Sequence, residues 1–165
     1  MPHEITTDKI VDDIMEREDR SGTGKVTEDA GGLTQYGIAK KYNPEAWADG
    51  KVTEEEAREI YERKYVNAPG FNQIPDGALR AQLVDYGVNS GPMIAIMKLQ
   101  TIVGATVDGM LGPQTLGLLM LLDSRAVSIE LVKTRVKMIG RLVVANPKLN
   151  LQNLNGWLNR ALEFL

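Results

Sequence analysis

Apolar positions recur at helical spacing along most of this chain. Ile10, Val11, Ile14 and Met15 form one stripe of an amphipathic helix predicted over about residues 7–20. The next position on that stripe is 18, and it holds a glutamate, while Asp12, Asp13, Glu16 and Asp19 supply the polar face. Thr53 and Glu56 make a capping box, which predicts a helix from there to Lys64 or Tyr65. Leu79, Gln82, Leu83 and Tyr86 mark another helix, ending near Asn89-Ser90-Gly91. Pro92 restarts helix in its first turn and Gly104 closes it. Asp108-Gly109 and Gly112-Pro113 read as turns, with helix resuming to Leu122. Residues 125–145 form a long amphipathic segment stopped by Asn146-Pro147, and a last helix is predicted over about 154–165.

One stretch breaks the helical pattern. Over residues 21–37, Ser21, Gly22, Gly24, Gly31, Gly32 and Gly37 punctuate short β-capable pieces such as Lys25-Val26-Thr27. An ordered loop or small hairpin is expected there, and Gly37 to Lys41 is expected to open a short helix. There is no repeat, low-complexity tract or linker. The predicted architecture is all-α, a single domain over residues 1–165 with a small irregular or β-hairpin N-terminal lobe.

Composition narrows the chemistry. The chain has no cysteine, and its one histidine is His3. Thiolate and histidine metal sites and a Ser-His-Asp triad are therefore not expected, which leaves carboxylates as the titrating groups of any catalytic reaction. The net charge of −3 is unevenly placed. Residues 131–165 carry six basic side chains and one acidic one, whereas the first 130 carry 13 and 21. That basic C-terminal stretch reads either as a solvated helix face or as a surface that leans on an anionic cell envelope. No aromatic residues interleave with the bases, so no nucleic-acid partner is expected. The opening MPHEITTDKI lacks the apolar core of a secretory signal, and the longest apolar run, Leu118–Leu122, is too short to span a bilayer. Synthesis in a cytoplasm without a signal peptide, and no stable membrane insertion, are the corresponding expectations.

Glu18 sits where the stripe calls for an apolar side chain. One reading is a glutamate whose stem covers the core edge while its head reaches water. The other is a partly desolvated carboxyl kept protonated, as a general acid needs to be. Asp29 stands in the Gly-rich loop and Thr34 follows five residues later. A helix-borne acid, a loop-borne carboxylate and a hydroxyl are the parts that glycoside hydrolysis requires. One carboxyl protonates the leaving oxygen, and the other stabilises an oxocarbenium-like transition state or activates water.

The run from Ile14-Met15-Glu16-Arg17-Glu18 to Asp29-Ala30-Gly31-Gly32-Leu33-Thr34-Gln35-Tyr36-Gly37-Ile38 resembles the N-acetylmuramidases of glycoside hydrolase family 108. These are mostly phage endolysins and related bacterial muramidases. Further pieces fit the family in order: Thr53-Glu54-Glu55-Glu56-Ala57, Ile60-Tyr61 and Tyr65; Asp85 through Gly91; Leu99-Gln100; Val107 through Leu116; and Gly156-Trp157-Leu158-Asn159-Arg160. The chain departs from the family pattern in carrying Asp19-Arg20 after Glu18, a loop about two residues longer, and Ala30 after Asp29. Between Glu16 and Glu18, the helical face selects Glu18.

The resemblance implies a lysozyme-like fold and cleavage of the β-1,4 bond between N-acetylmuramic acid and N-acetylglucosamine in bacterial peptidoglycan. It implies no cofactor and no metal, and a monomer is expected. A phage endolysin made in the host cytoplasm and released to the periplasm or cell wall through a holin-type lesion fits it, as does a host-encoded muramidase. The Glu-Asp-Thr order is also similar to the triad of phage-type lysozymes. By that analogy Glu18 is the acid, Asp29 positions or activates water, and Thr34 helps to hold that water. Gln35, Tyr36, Tyr86 and Asn89 are the candidate substrate-binding residues. The two tyrosines read either as sugar-stacking faces or as core, and Asn89 reads also as a helix cap.

Gln100 either faces the cleft or satisfies buried backbone. Residues 108–116 resemble a turn of small peptidoglycan-binding domains, and the helical half from about residue 76 to 165 shares that likeness. The turn reads either as a closure of the helical lobe or as a substrate contact. A lytic transglycosylase and a non-catalytic peptidoglycan-binding module stand as alternative functions.

Overall fold

The first helix, α1 (Thr7–Glu18), buries the stripe that predicts it: Ile10, Val11, Ile14 and Met15 are each no more than 9% exposed. This computed structural model describes residues 5–19, 23–29 and 32–165, with only the backbone of Asp29. His3, Arg20, Ser21, Gly22, Ala30 and Gly31 lie outside the described residues, as does the Asp29 side chain. Thr6 caps α1 by accepting from the Lys9 N–H at 3.2 Å. The helix stops at Glu18, short of the predicted end at 20. Asp19 takes a non-helical conformation, and its carboxylate accepts from the Gly24 N–H at 2.7 Å.

The irregular stretch is a three-stranded antiparallel meander of β1 (Thr27–Asp29), β2 (Gly32–Gln35) and β3 (Ile38–Ala39). Its register sets Thr27 opposite Thr34, Asp29 opposite Gly32, and Gln35 opposite Ile38. The helix expected over Gly37–Lys41 does not form. Tyr36 and Gly37 have φ of +49° and +76°, so the chain reverses in a two-residue turn with both central residues in the left-handed region. The Lys40 N–H then donates to the Leu33 carbonyl at 2.8 Å, a strand bond in place of a helical one. Ile38 is buried under the turn, and the buried Trp47 indole donates to its carbonyl at 3.2 Å.

Beyond a short 3₁₀ turn (Pro44–Trp47), α2 (Glu54–Tyr61) opens with the predicted capping box, both of its bonds being made. It runs directly into a π-helical turn, Glu62–Asn67. Backbone contacts divide the chain into two compact units, Met1–Asn72 and Gln73–Leu165. Within the first unit, α1 packs on α2 and on the π-helical turn.

The second unit is helical: α3 (Gly77–Ser90), α4 (Pro92–Val103), α5 (Pro113–Leu119), α6 (Ser124–Ala145), the single turn α7 (Pro147–Asn150) and α8 (Leu154–Leu162). The predicted punctuation holds, with Pro92 in the first turn of α4, Gly104 in the left-handed region at its end, and α6 stopping at Asn146. Its core holds ions as well as hydrocarbon. Asp85 of α3, 1% exposed, accepts from Arg135 of α6 at 2.7 Å and from Arg160 of α8 at 2.8 Å. One carboxylate thus ties three helices together. No helix among the described residues is long and apolar enough to cross a membrane.

Removing one member of a buried ion cluster leaves its partners charged in a poor solvent. Asp85→Ala is therefore expected to cost about 3–5 kcal/mol, measured by chemical denaturation of the full chain. A loss below about 1 kcal/mol would show that the guanidinium groups reach water without it.

Candidate active site

Glu18 is the last residue of α1 and is half-buried, whereas Glu16 is exposed. The stripe argument from the sequence therefore places the two carboxylates as expected. What lies beside Glu18 is the β2–β3 turn. A Cβ built on Gly37 would stand 2.8 Å from the Glu18 Cβ and 2.3 Å from the hydroxyl oxygen of Tyr61. Only a glycine leaves room there, and at φ +76° only a glycine is unstrained.

The turn is tied from several sides. Tyr61, buried at the end of α2, donates its hydroxyl to the Tyr36 carbonyl at 3.1 Å. The Tyr36 ring lies over Gly24, where a Cβ would come within 2.2 Å of it. Gln35 spans two strands of backbone: its amide nitrogen donates to the Gly24 carbonyl at 2.7 Å, and its oxygen accepts from the Val52 N–H at 2.8 Å. Both ends of this amide are occupied within the protein, so Gln35 braces the loop. Thr34 is half-buried in β2. Register puts backbone positions 29 and 34 on one face of the small sheet, with Thr27 directly opposite Thr34.

Tyr65 belongs to the family-like pattern, and the sequence alone assigns it no role. It lies on the π-helical turn with its ring 5.9 Å from that of Tyr61. Burial, and then the negative charge of Glu18, push its hydroxyl above the ordinary range, so Tyr65 stays a neutral phenol. Tyr61 likewise carries no role in the sequence beyond its place in that pattern. A tyrosine three or four residues from the end of an amphipathic helix reads as core until the turn it supports is known.

The remaining candidates, Tyr86 and Asn89, lie in the helical unit. Tyr86 is wholly buried, with the Arg135 guanidinium 5.2 Å from its ring centre and its hydroxyl directed at the Met138 sulfur. It is core, and the sugar-stacking reading of Tyr86 is corrected: no face of the ring is free. Asn89 is exposed, and its surrounding donors orient the amide so that its oxygen accepts from Arg160 Nε at 2.7 Å and from Arg135 Nη2 at 3.0 Å. It shares a cavity of about 100 Å³ with Ser90, Arg135, Met138 and Trp157.

Gln100 is 1% exposed and clasps the turn at 108–112. Its nitrogen donates to the Asp108 carboxylate at 2.7 Å and to the Met110 carbonyl at 2.9 Å, while its oxygen accepts from the Asp108 and Gly109 N–H groups. Of its two readings, the structure selects satisfaction of buried backbone.

Residues 11–91 match the family described as Glycosyl hydrolase 108. Among solved structures, the chain is similar to that titled "Structure of Brucella abortus SagA", at 24% identity and a TM-score of 0.70, covering 96% of this chain and 94% of that one. This likeness shows the fold, and it agrees with the lysozyme-like helical fold expected from the sequence. No curated protein matches the chain.

The clasped turn carries a pH signature. Donation from Gln100, and then from the Met110 N–H, holds the Asp108 carboxyl below its ordinary 3.8. The unfolded chain lacks these donors and takes up the proton at higher pH, so the contribution is present above pH 3.8 and lost as pH falls through the lower folded value. Asp108→Asn is expected to melt below the parent chain near neutral pH, with the gap closing as pH falls below 3.8. A gap independent of pH in thermal scans would contradict this.

Proposed function

We propose that this chain, a member of the glycosyl hydrolase 108 family and hence a glycoside hydrolase directed at peptidoglycan, cleaves the β-1,4 bond between N-acetylmuramic acid and N-acetylglucosamine with Glu18 as general acid. The observation that carries the assignment is the position of Glu18: half-buried at the end of α1 against the Tyr36–Gly37 turn, while Glu16 faces solvent. Of the two glutamates, Glu18 is the one set against the hairpin that carries Thr34.

In this scheme Asp29 is the second carboxylate, stabilising the oxocarbenium-like transition state or activating water, and Thr34 holds that water. Shared placement of positions 29 and 34 on one sheet face supports this division of labour. Tyr36 offers a half-buried ring to a pyranose, and Gln35 positions the loop that presents it. No step calls for a cofactor. The chain acts as one catalytic domain over residues 1–165, as a monomer, with Asn89 and the helical half from about residue 76 holding glycan. The biological setting we favour is a phage endolysin reaching the wall through a holin-type lesion.

Digestion of purified peptidoglycan, with fragments identified by mass spectrometry, tests the scheme. Glu18→Gln is expected to lower the release of reducing N-acetylmuramic ends by about 10²-fold or more with unchanged circular dichroism. Glu16→Gln should digest near the parent rate, and Asp29→Asn should lose most activity. Equal loss from both glutamate variants would sink the choice of Glu18. Anhydro-muramic ends from the parent chain, with Asp29 dispensable, would make the reaction a transglycosylation.

A further inference from the structure

We infer that Tyr61 is a positioning residue for Glu18, acting through the Tyr36–Gly37 turn. The inference rests on the reading of Glu18 as the general acid.

Tyr61 and Glu18 come from different helices, α2 and α1, and meet where a side chain is missing. Their hydroxyl oxygen and Cβ lie 2.3 and 2.8 Å from the same empty point on Gly37, so the two atoms are within about 5 Å of each other. The stem of the acid therefore rests on the turn, and the phenol fills the other side of the gap.

The turn needs holding. Tyr36, at φ +49°, is the only non-glycine residue with positive φ among the described residues. A tyrosine there is strained and persists only where its surroundings over-determine it. The Tyr61 hydroxyl supplies one of those constraints through its bond to the Tyr36 carbonyl. Tyr61 is 3% exposed, so water does not readily replace that donor.

The helix behind Tyr61 adds to the case. It departs from α-helical geometry at the next residue, Glu62, and stays π-helical to Asn67. Such turns insert extra backbone and are frequent at functional sites. Here the turn carries Tyr65 into the field of Glu18 and against the Tyr61 ring. Two phenols are thus gathered beside one carboxylate.

A general acid works only within hydrogen-bond reach of the oxygen it protonates, and small misplacements cost rate steeply. Without the Tyr61 hydroxyl, the turn loses the constraint on the Tyr36 carbonyl, and Tyr36 shifts towards negative φ, which moves Gly37 and the support under Glu18. The bond is made to the Tyr36 carbonyl, on the side of Glu18, and not to the ring offered to the glycan, so turnover should suffer more than affinity.

The test is Tyr61→Phe in the full chain, with kcat and KM measured on soluble peptidoglycan fragments and Glu18→Gln run alongside. The expected result is kcat lower by about tenfold or more with KM changed by less than about twofold, in protein that remains folded by circular dichroism. The same substitution is then made in a Tyr36→Gly background. Glycine takes the turn conformation without strain, so the loss of kcat should shrink there.

A parent-like kcat in Tyr61→Phe, or an equal loss in both backgrounds, would overturn the inference. So would a Tyr61→Phe chain that fails to fold, which would assign Tyr61 to stability. Full activity of Glu18→Gln would instead remove the reading on which the inference rests.

Discussion

The N-terminal unit is organised around a side chain that is not there. Gly37 lacks the Cβ that would collide with both the Tyr61 hydroxyl and the Glu18 stem. Because the position is empty, the end of α1, the β2–β3 turn and the end of α2 converge within a few ångströms. That convergence needs backbone in the left-handed region, which glycine adopts freely and Tyr36 adopts only under constraint. Gln35, Asp19, Gly24 and Tyr61 together provide the constraint, each through a hydrogen bond or close approach to the turn or the loop before it. The N-terminal unit thus holds its candidate acid on a helix end, supported by a small hairpin tied from several sides. Such a site keeps its geometry as a polymer moves past it.

The helical unit uses polar chemistry for a different end. Asp85 is almost wholly enclosed, and it is compensated by guanidinium groups from two other helices rather than left as a reactive group. Asn89 adds its amide oxygen to the same guanidinium groups. Gln100 uses both ends of its side chain to close the turn at 108–112, so residues that resemble a ligand-binding string are held as a structural clasp. Asp85 and Gln100, both buried, each satisfy partners that would be costly to leave unpaired.

Much of this was legible in the amino-acid order. Period-3.6 apolar stripes, the Thr53–Glu56 box and the Pro92, Gly104 and Asn146-Pro147 punctuation are local signals, and the helices follow them closely. The half-burial of Glu18 and the exposure of Glu16 were also legible locally, since one helical turn decides which face a residue occupies. The strand at Ile38–Ala39 was not legible. Glycine at 37 suits a helix start or a hairpin equally well, and the decision came from pairing with Gln35 and burial of Ile38 beneath Trp47. Tyr86 failed for a related reason. Its helix is apolar on several sides, so spacing alone does not say which aromatic is enclosed.

The sequence by itself therefore determined the helices, their caps, and the order of carboxylates and hydroxyl that points to a glycoside hydrolase. These depend on neighbours no more than a few residues away. Only the tertiary structure decided that Tyr61 supports the Tyr36–Gly37 turn, that Gln35 is spent on backbone, and that Tyr86 belongs to the core. Each of those depends on partners 11 to 52 residues distant. Such contacts are set by how whole elements pack, and packing is not written in any local pattern of the chain.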